Sequence, residues 1–353
     1  MADAAVLRIV HAVRSDAFAG VERSILLSTQ ALVERGHCLT VVGGDRIRMC
    51  EHLLPLGVDW VPAASTYDVF RALRRLEPPD IVHAHMTAAE WAAVLARRRT
   101  GGALVMTRHF AQRRGRTVRG RLASAVIDRV AHHELAISKF VAGAVASESV
   151  VYHGIDDRPP ALTEGKRVVV IQRLEPEKGT DLAVRAWARS GLGDEGWELI
   201  LAGDGSERSA LESLAHSTGV SASVTFLGRV EDVDQLRATA AMQFATPANE
   251  HFGLSVLEAM AVGLPVVAAD GGAHRELLGS DQAPLLFAIG DVDAAAERLR
   301  GLADDGELRR RVGRALRARQ QERFSLDAHG EALEAAYRAA IAEHAARAGR
   351  RGR

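Results

Sequence analysis

The sequence predicts an α/β protein made of two doubly wound, parallel-sheet domains. Three observations predict it. Short apolar runs alternate with longer segments of helical spacing along the chain. The runs are continuously apolar, as in strands of a parallel sheet covered on both faces. The alternation stops once, at Asp156-Asp157-Arg158-Pro159-Pro160-Ala161-Leu162-Thr163-Glu164-Gly165, where two prolines, charges and a glycine read as a linker, and then restarts. A length of 353 residues suits two domains of ordinary size.

Leu7–His11 reads as the first strand, followed by helical spacing over Val21–Arg35. Leu39–Gly43, Asp80–His85, Ala103–Arg108 and Glu134–Ser138 read as the next strands, and Ser138 as the cap of the helix that follows. Past the linker, Arg167–Gln172, Glu198–Ala202, Ser223–Gly228 and Pro265–Ala269 read as strands of the second domain. The expected domains are 1–157 and 166–325. The last helical pattern, about 326–347, is expected to pack back on the first domain, and the basic tail beyond it to fray.

Composition limits the function. Hydrophobic residues make up 47% and charged residues 25%, as in globular proteins, while aromatics are only 5%, so Ala, Val and Leu must fill the core. Lys plus Arg and Asp plus Glu are 45 each, a balance that argues against a dedicated nucleic-acid binder. Two cysteines, Cys38 and Cys50, lack metal-type spacing, and a reducing cytoplasm is the expected setting. The first ten residues show no signal-peptide pattern, and no apolar run is long enough to span a bilayer, so membrane contact is expected to be peripheral.

Open α/β sheets bind ligands beyond the carboxyl ends of their strands, so two such domains are expected to face each other across a ligand cleft. The strongest motif is Asn249-Glu250-His251-Phe252-Gly253-Leu254-Ser255-Val256-Leu257-Glu258-Ala259-Met260-Ala261. From Gly253 the spacing is helical, and a helix start offers N–H groups to phosphate. Glu258 lies about 12 Å further along the axis than the start. Two carboxylates so placed cannot serve one bond-breaking event, but they can grip two ends of one long ligand. In Gln172-Arg173-Leu174-Glu175-Pro176-Glu177-Lys178-Gly179, a strand-end Arg173 and a pre-helix Lys178 can neutralise a leaving diphosphate. Phe18-Ala19-Gly20-Val21-Glu22 follows the first strand and lets backbone approach a ligand. Thr107-Arg108-His109-Phe110 puts a histidine at a strand's carboxyl end.

With Leu201-Ala202-Gly203-Asp204-Gly205, Thr225-Phe226-Leu227-Gly228-Arg229-Val230, Gly263-Leu264-Pro265-Val266-Val267-Ala268 and the closing Arg323-Phe324-Ser325 with Tyr337, these segments resemble the GT-B glycosyltransferases. More narrowly, they resemble the retaining enzymes of glycosyltransferase family 4, from first strand to last helix. The resemblance implies two Rossmann-like domains facing a cleft, the first for the acceptor and the second for the donor, with the C-terminal helix crossing back to the first. It implies transfer of a hexosyl unit from a UDP- or GDP-linked sugar, with retained configuration and without a metal or other cofactor. Arg173 and Lys178 would hold the diphosphate, Glu258 the ribose hydroxyls and Glu250 the sugar hydroxyls. Backbone N–H groups at Phe252, Gly253 and Leu254 would hold sugar and phosphate. The base would lie near Gly203 and against Arg229 and Val230. Gly20 would reach the phosphate, and His109 would stand near the sugar and the reacting bond.

Two positions depart from the family pattern. Ala19-Gly20 stands where relatives carry two glycines, and His251 follows the first glutamate where glycine is frequent. His83 and His85 point the same way on one strand. Without an evident third ligand they read as structural or, for His85, as an acceptor-side contact. Arg108, Arg113, Arg114, Arg116, Arg119 and Arg121 form a run without acidic residues, expected to meet an anionic acceptor or membrane surface or simply to be solvated. Two other classes remain: a retaining phosphorylase or sucrose-type enzyme, which would exchange free phosphate, and a nucleotide-sugar-binding module without turnover.

Overall fold

The computed structural model describes residues 5–115 and 118–351. It divides into two compact units, Met1–Gly154 with Leu326–Arg353, and Ile155–Ser325. Each carries one parallel sheet.

In unit 1 the strands are β1 (Arg8–Val13), β2 (Cys38–Val42), β3 (Asp59–Val61), β4 (Ile81–His85), β5 (Ala103–Arg108), β6 (His133–Ala136) and β7 (Ser149–Val150), ordered β3-β2-β1-β4-β5-β6-β7. Side chains alternate between the faces of the sheet. Ile9 and Val13 of β1 join Leu333, Tyr337 and Ala340 of the last helix, Leu326–Arg351, on one face. Val10 and Ala12 join Val69, Leu73, Ala89 and Ala93, from the helices Thr66–Arg75 and Met86–Thr100, on the other. His11 lies between Ile9 and Val13 and shares the face of the last helix.

In unit 2 the strands are β8 (Arg167–Ile171), β9 (Glu198–Ala202), β10 (Val224–Gly228), β11 (Met242–Ala245), β12 (Val266–Ala269) and β13 (Leu286–Phe287), ordered β10-β9-β8-β11-β12-β13. Both orders reverse at a switch point, between β1 and β4 and between β8 and β11. That is where doubly wound sheets open a crevice for ligands.

The sequence expectation of four strands after the linker missed β11 and β13, and in unit 1 it missed β3 and β7. The expected linker is not a free tether. Ala161 N–H donates to Val262 O (2.8 Å) and Leu162 N–H to Ala238 O (2.9 Å), and both partners are in unit 2. Among the described residues no helix is long and apolar enough to cross a membrane.

Candidate functional site

The site in unit 2 grows from the switch point. Past β8, the Gln172 amide donates to Lys178 O (3.1 Å), Thr180 Oγ1 (2.9 Å) and Thr246 Oγ1 (3.0 Å). Thr246, just past β11, donates to Lys178 O as well (2.8 Å). These bonds pin the Pro176–Lys178 turn against the end of β11, so that Lys178 Nζ reaches Glu250 Oε2 at 2.9 Å. Burial alone would raise the Glu250 carboxyl, but the charge and hydrogen bond of Lys178 outweigh it and hold the group below its ordinary value.

Gly253 follows in the left-handed region (φ +99°) as the cap of the helix Leu254–Ala261. The first N–H groups of that helix have no partner inside it. Ser255 Oγ donates to Ile171 O (3.0 Å), which seats the helix start on the carboxyl end of β8. Further in, Glu258 is buried, and Arg237 Nη2 donates to its Oε2 at 2.5 Å. The same guanidinium reaches Gln243 Oε1 (3.4 Å) and Ser255 Oγ (3.3 Å).

Gly203 follows β9 and donates its N–H to Gly228 O (2.8 Å). A Cβ there would stand 1.8 Å from Gln172 O, so no other residue fits this approach. Arg229, exposed, and Val230, half-buried, follow β10 beside it. Arg173 is solvent-facing and pairs with Glu177 at 2.7 Å. Such exposed pairs are weak, so Arg173 can turn to an anion at little cost.

In unit 1, Gly20 opens the helix Gly20–Glu34, whose Glu22 carboxylate accepts from Ala19 N–H at 2.9 Å. The space where a Gly20 Cβ would stand is empty. His109 lies one residue past β5, and it belongs to a buried set with His11, His83, His85, His153 and His329. Burial holds these imidazoles neutral: His11 is pushed down to about 3, His109 to about 3 and His329 to about 4. His83, His85 and His153 move the same way for the same reason. The native state takes up these protons only below the range in which an unfolded histidine, at about 6.5, takes them up. Stability is therefore full above about pH 6.5 and declines as pH falls toward the lowered values, by about 1.4 kcal/mol per pH unit for each proton taken up on unfolding. Urea midpoints measured from pH 7 to pH 4 are expected to fall steeply; a flat profile would mean that these rings are solvated.

Two family models match the chain in tandem: Glycosyltransferase Family 4 over residues 18–158 and Glycosyl transferases group 1 over 155–319. The chain belongs to glycosyltransferase family 4. Its fold is GT-B, the pair of Rossmann-like domains that the sequence motifs implied. This family 4 chain is 29% identical over 249 residues to the phosphatidyl-myo-inositol mannosyltransferase of Mycolicibacterium smegmatis, covering 65% of the chain and 64% of that protein. It is 35% identical over 170 residues to the GDP-mannose-dependent monoacylated alpha-(1-6)-phosphatidylinositol monomannoside mannosyltransferase of Corynebacterium glutamicum, covering 46% and 44%. The chain thus spans less than two thirds of the length of either curated relative. Among solved structures, Anabaena HepE in complex with UDP superposes with a TM-score of 0.79 at 20% identity, over 93% of this chain and 98% of that one.

In this family 4 chain the structure corrects two sequence expectations that stood apart from the family resemblance. Arg114 is no surface contact. It is buried, with Glu90 at 2.6 Å, Asp128 at 2.6 Å and Glu134 at 2.5 Å around it. Its acidic partners come from other segments, so this arginine of a run that lacks acids in sequence is neutralised in space. His85 is no acceptor contact either, because it is buried and both ring nitrogens bond other histidines. Arg113 is exposed and donates to Ala144 O (3.4 Å). Arg116 lies outside the described residues. Replacing Arg114 with leucine is expected to cost about 3 kcal/mol, the lower end for breaking a buried pair, since Asp128 and Glu134 keep some solvent and only Glu90 is stranded. Urea unfolding measures it, and a loss below 1 kcal/mol would contradict the network.

Arg237 was missed from sequence. It stands four residues after Val233, on the apolar stripe of the helix Val233–Ala238, and a cation at such a position signals a buried partner.

Proposed function

We propose that this chain transfers a hexosyl unit from a nucleotide diphosphate sugar, UDP- or GDP-linked, to an acceptor hydroxyl with retention of configuration and without a metal. The observation that carries the reading is the Lys178–Glu250 pair beside the helix start at Gly253, at the switch point of unit 2. Lys178, Arg173 and the N–H groups at Phe252, Gly253 and Leu254 receive the charge that grows on the diphosphate as the glycosidic bond breaks. Glu250 accepts from sugar hydroxyls and Glu258 from the ribose, while the base lies by Gly203, Arg229 and Val230. Gly20 offers its backbone to phosphate, and His109 hydrogen-bonds the transferred sugar. No side chain serves as nucleophile. The acceptor attacks on the face that the diphosphate leaves, and the leaving oxygens take its proton.

Both mannosyltransferase relatives carry a phosphatidylinositol acceptor in their names, and one names GDP-mannose. They support a lipid-borne acceptor; a glycan or small metabolite is the other outcome to test. A panel of UDP- and GDP-sugars, read by nucleotide release with each acceptor class and with chelator, tests the reading. Anomeric NMR of the product reads the configuration. Release of free phosphate would indicate a phosphorylase, and binding without release a sensor.

A further inference from the structure

Unit 1 holds a structure that the donor-site chemistry leaves unused. His11 on β1 and His83 and His85 on β4 flank the switch point of the sheet, with His11 paired in register to His83. Five contacts run through them in series. His109 Nε2 meets His85 Nδ1 at 2.9 Å, and His85 Nε2 meets His11 Nδ1 at 2.9 Å. His11 Nε2 faces the Tyr337 hydroxyl at 3.5 Å, and that hydroxyl meets His83 Nδ1 at 2.8 Å. His83 Nε2 ends the series on Thr107 Oγ1 at 2.6 Å. All six residues are buried.

His11, His83 and His85 hold nitrogens within 4.8 Å of one another, a spacing that suggests a metal. Ring geometry points elsewhere. In both His11–His85 and His85–His109 the centroids are 5.2 Å apart while the nitrogens are 2.9 Å apart. The centroid separation exceeds the nitrogen separation by one ring radius at each end, so each pair meets head-on. Lone pairs aimed at each other share a proton, whereas a metal needs them to converge on a third point.

A neutral imidazole donates through one nitrogen and accepts through the other. The direction of one link therefore sets every link. The blind end at Thr107 chooses. Among the described residues its hydroxyl bonds only His83. If it accepted there, its own buried hydrogen would have no acceptor. With Thr107 donating to His83 Nε2, His83 donates through Nδ1 to Tyr337, Tyr337 to His11 Nε2, His11 through Nδ1 to His85 Nε2, and His85 through Nδ1 to His109 Nε2. No carboxylate joins the series among the described residues; His153 stacks on His109, and His329 meets His153 and acts on His11 and His83 through its charge.

We propose that this chain is a tautomer clamp: it fixes the proton of His109 on Nδ1, so that His109 offers bound sugar or phosphate oxygens a donor, with His85, His11, Tyr337 and Thr107 as its positioning residues. The functional half rests on the reading that His109 touches the sugar donor. The structural half does not.

The test is a long-range proton–nitrogen correlation spectrum of the full chain carrying 15N-labelled histidine, without substrate, with His109→Gln to assign the signal. Wild type is expected to show His109, His85, His11 and His83 all protonated on Nδ1. Thr107→Val, close in shape, removes the group that sets the direction, and Tyr337→Phe cuts the series. In both, His109 is expected to gain Nε2–H population. The kcat is expected to fall about tenfold, less than the roughly 10²-fold loss from deleting a transition-state donor outright, with the KM for the sugar donor little changed. A wild-type His109 protonated on Nε2, or a tautomer that neither variant alters, overturns the clamp. An unchanged kcat with a shifted tautomer overturns its role in transfer. Because the spectrum needs no turnover, failure of wild type to transfer sugar would sink the glycosyltransfer reading and leave the tautomer result standing.

Discussion

Replacing Lys178 with alanine is expected to lower kcat by about 10²- to 10³-fold, the scale of removing one preorganised group aimed at developing charge, while the fold survives. Lys178 stands on a turn held by backbone and by Gln172 and Thr246, none of which needs its ammonium. Among the described residues its side chain bonds Glu250 alone. The variant therefore loses one ion pair and, in the proposed reaction, the cation nearest the diphosphate. The pair also leaves a pH signature. Glu250 sits below its ordinary value in the folded state, so its contribution is present above the unfolded value of about 4.3 and is lost as pH falls through the lower folded value. Lys178→Ala removes that contribution, so the gap in stability between wild type and variant is expected at pH 7 and to close as pH falls through the carboxylate range. Single-turnover nucleotide release and urea unfolding at two pH values measure both effects. A wild-type rate would take Lys178 out of the reaction.

The sheets and the site were legible to different depths. Valine- and isoleucine-rich runs such as Val168-Val169-Val170-Ile171 announce buried strands directly. β11 did not, because Met242-Gln243-Phe244-Ala245 has no β-branched residue and carries an amide. That amide is buried because it donates to Ser255 O (3.0 Å) and Ser255 Oγ (3.2 Å), a partner twelve residues away that no local pattern reveals. β7 and β13 are two residues each and leave no periodicity to read. Glu250, Lys178 and Gly253 were legible because their motifs are contiguous in sequence. Arg114 was misread for the opposite reason. Its carboxylate partners lie on other elements, so the sequence run alone could not tell this arginine from its exposed neighbour Arg113. The buried histidine series is likewise a product of pairing between β1, β4, β5 and the last helix, and local spacing reported only that His83 and His85 share a face.

Replacing Arg237 with leucine is expected to destabilise unit 2 by about 3–5 kcal/mol, which for a unit of this size lowers Tm on the order of 10 °C. The guanidinium and the Glu258 carboxylate are both almost fully buried, and Arg237 also orders neighbours: it reaches Gln243 and Ser255, and Ser255 seats the helix on β8. Leucine fills part of the volume but takes the guanidinium away from an almost fully buried carboxylate, and the lost compensation of that charge dominates the loss. The double variant Arg237→Leu/Glu258→Leu removes both charges and is expected to recover most of the stability, giving a large coupling energy between the two positions. It is also expected to bind the nucleotide poorly, because the reading gives Glu258 the ribose hydroxyls. Stability and donor affinity thus separate: the single variant loses stability with Glu258 still in place, and the double variant loses donor affinity with most of the stability recovered. Thermal melts with and without nucleotide, and titration calorimetry on the double variant, distinguish them. An Arg237→Leu protein that melts with wild type would mean that the pair is hydrated, and a double variant with undiminished nucleotide affinity would remove Glu258 from the donor site.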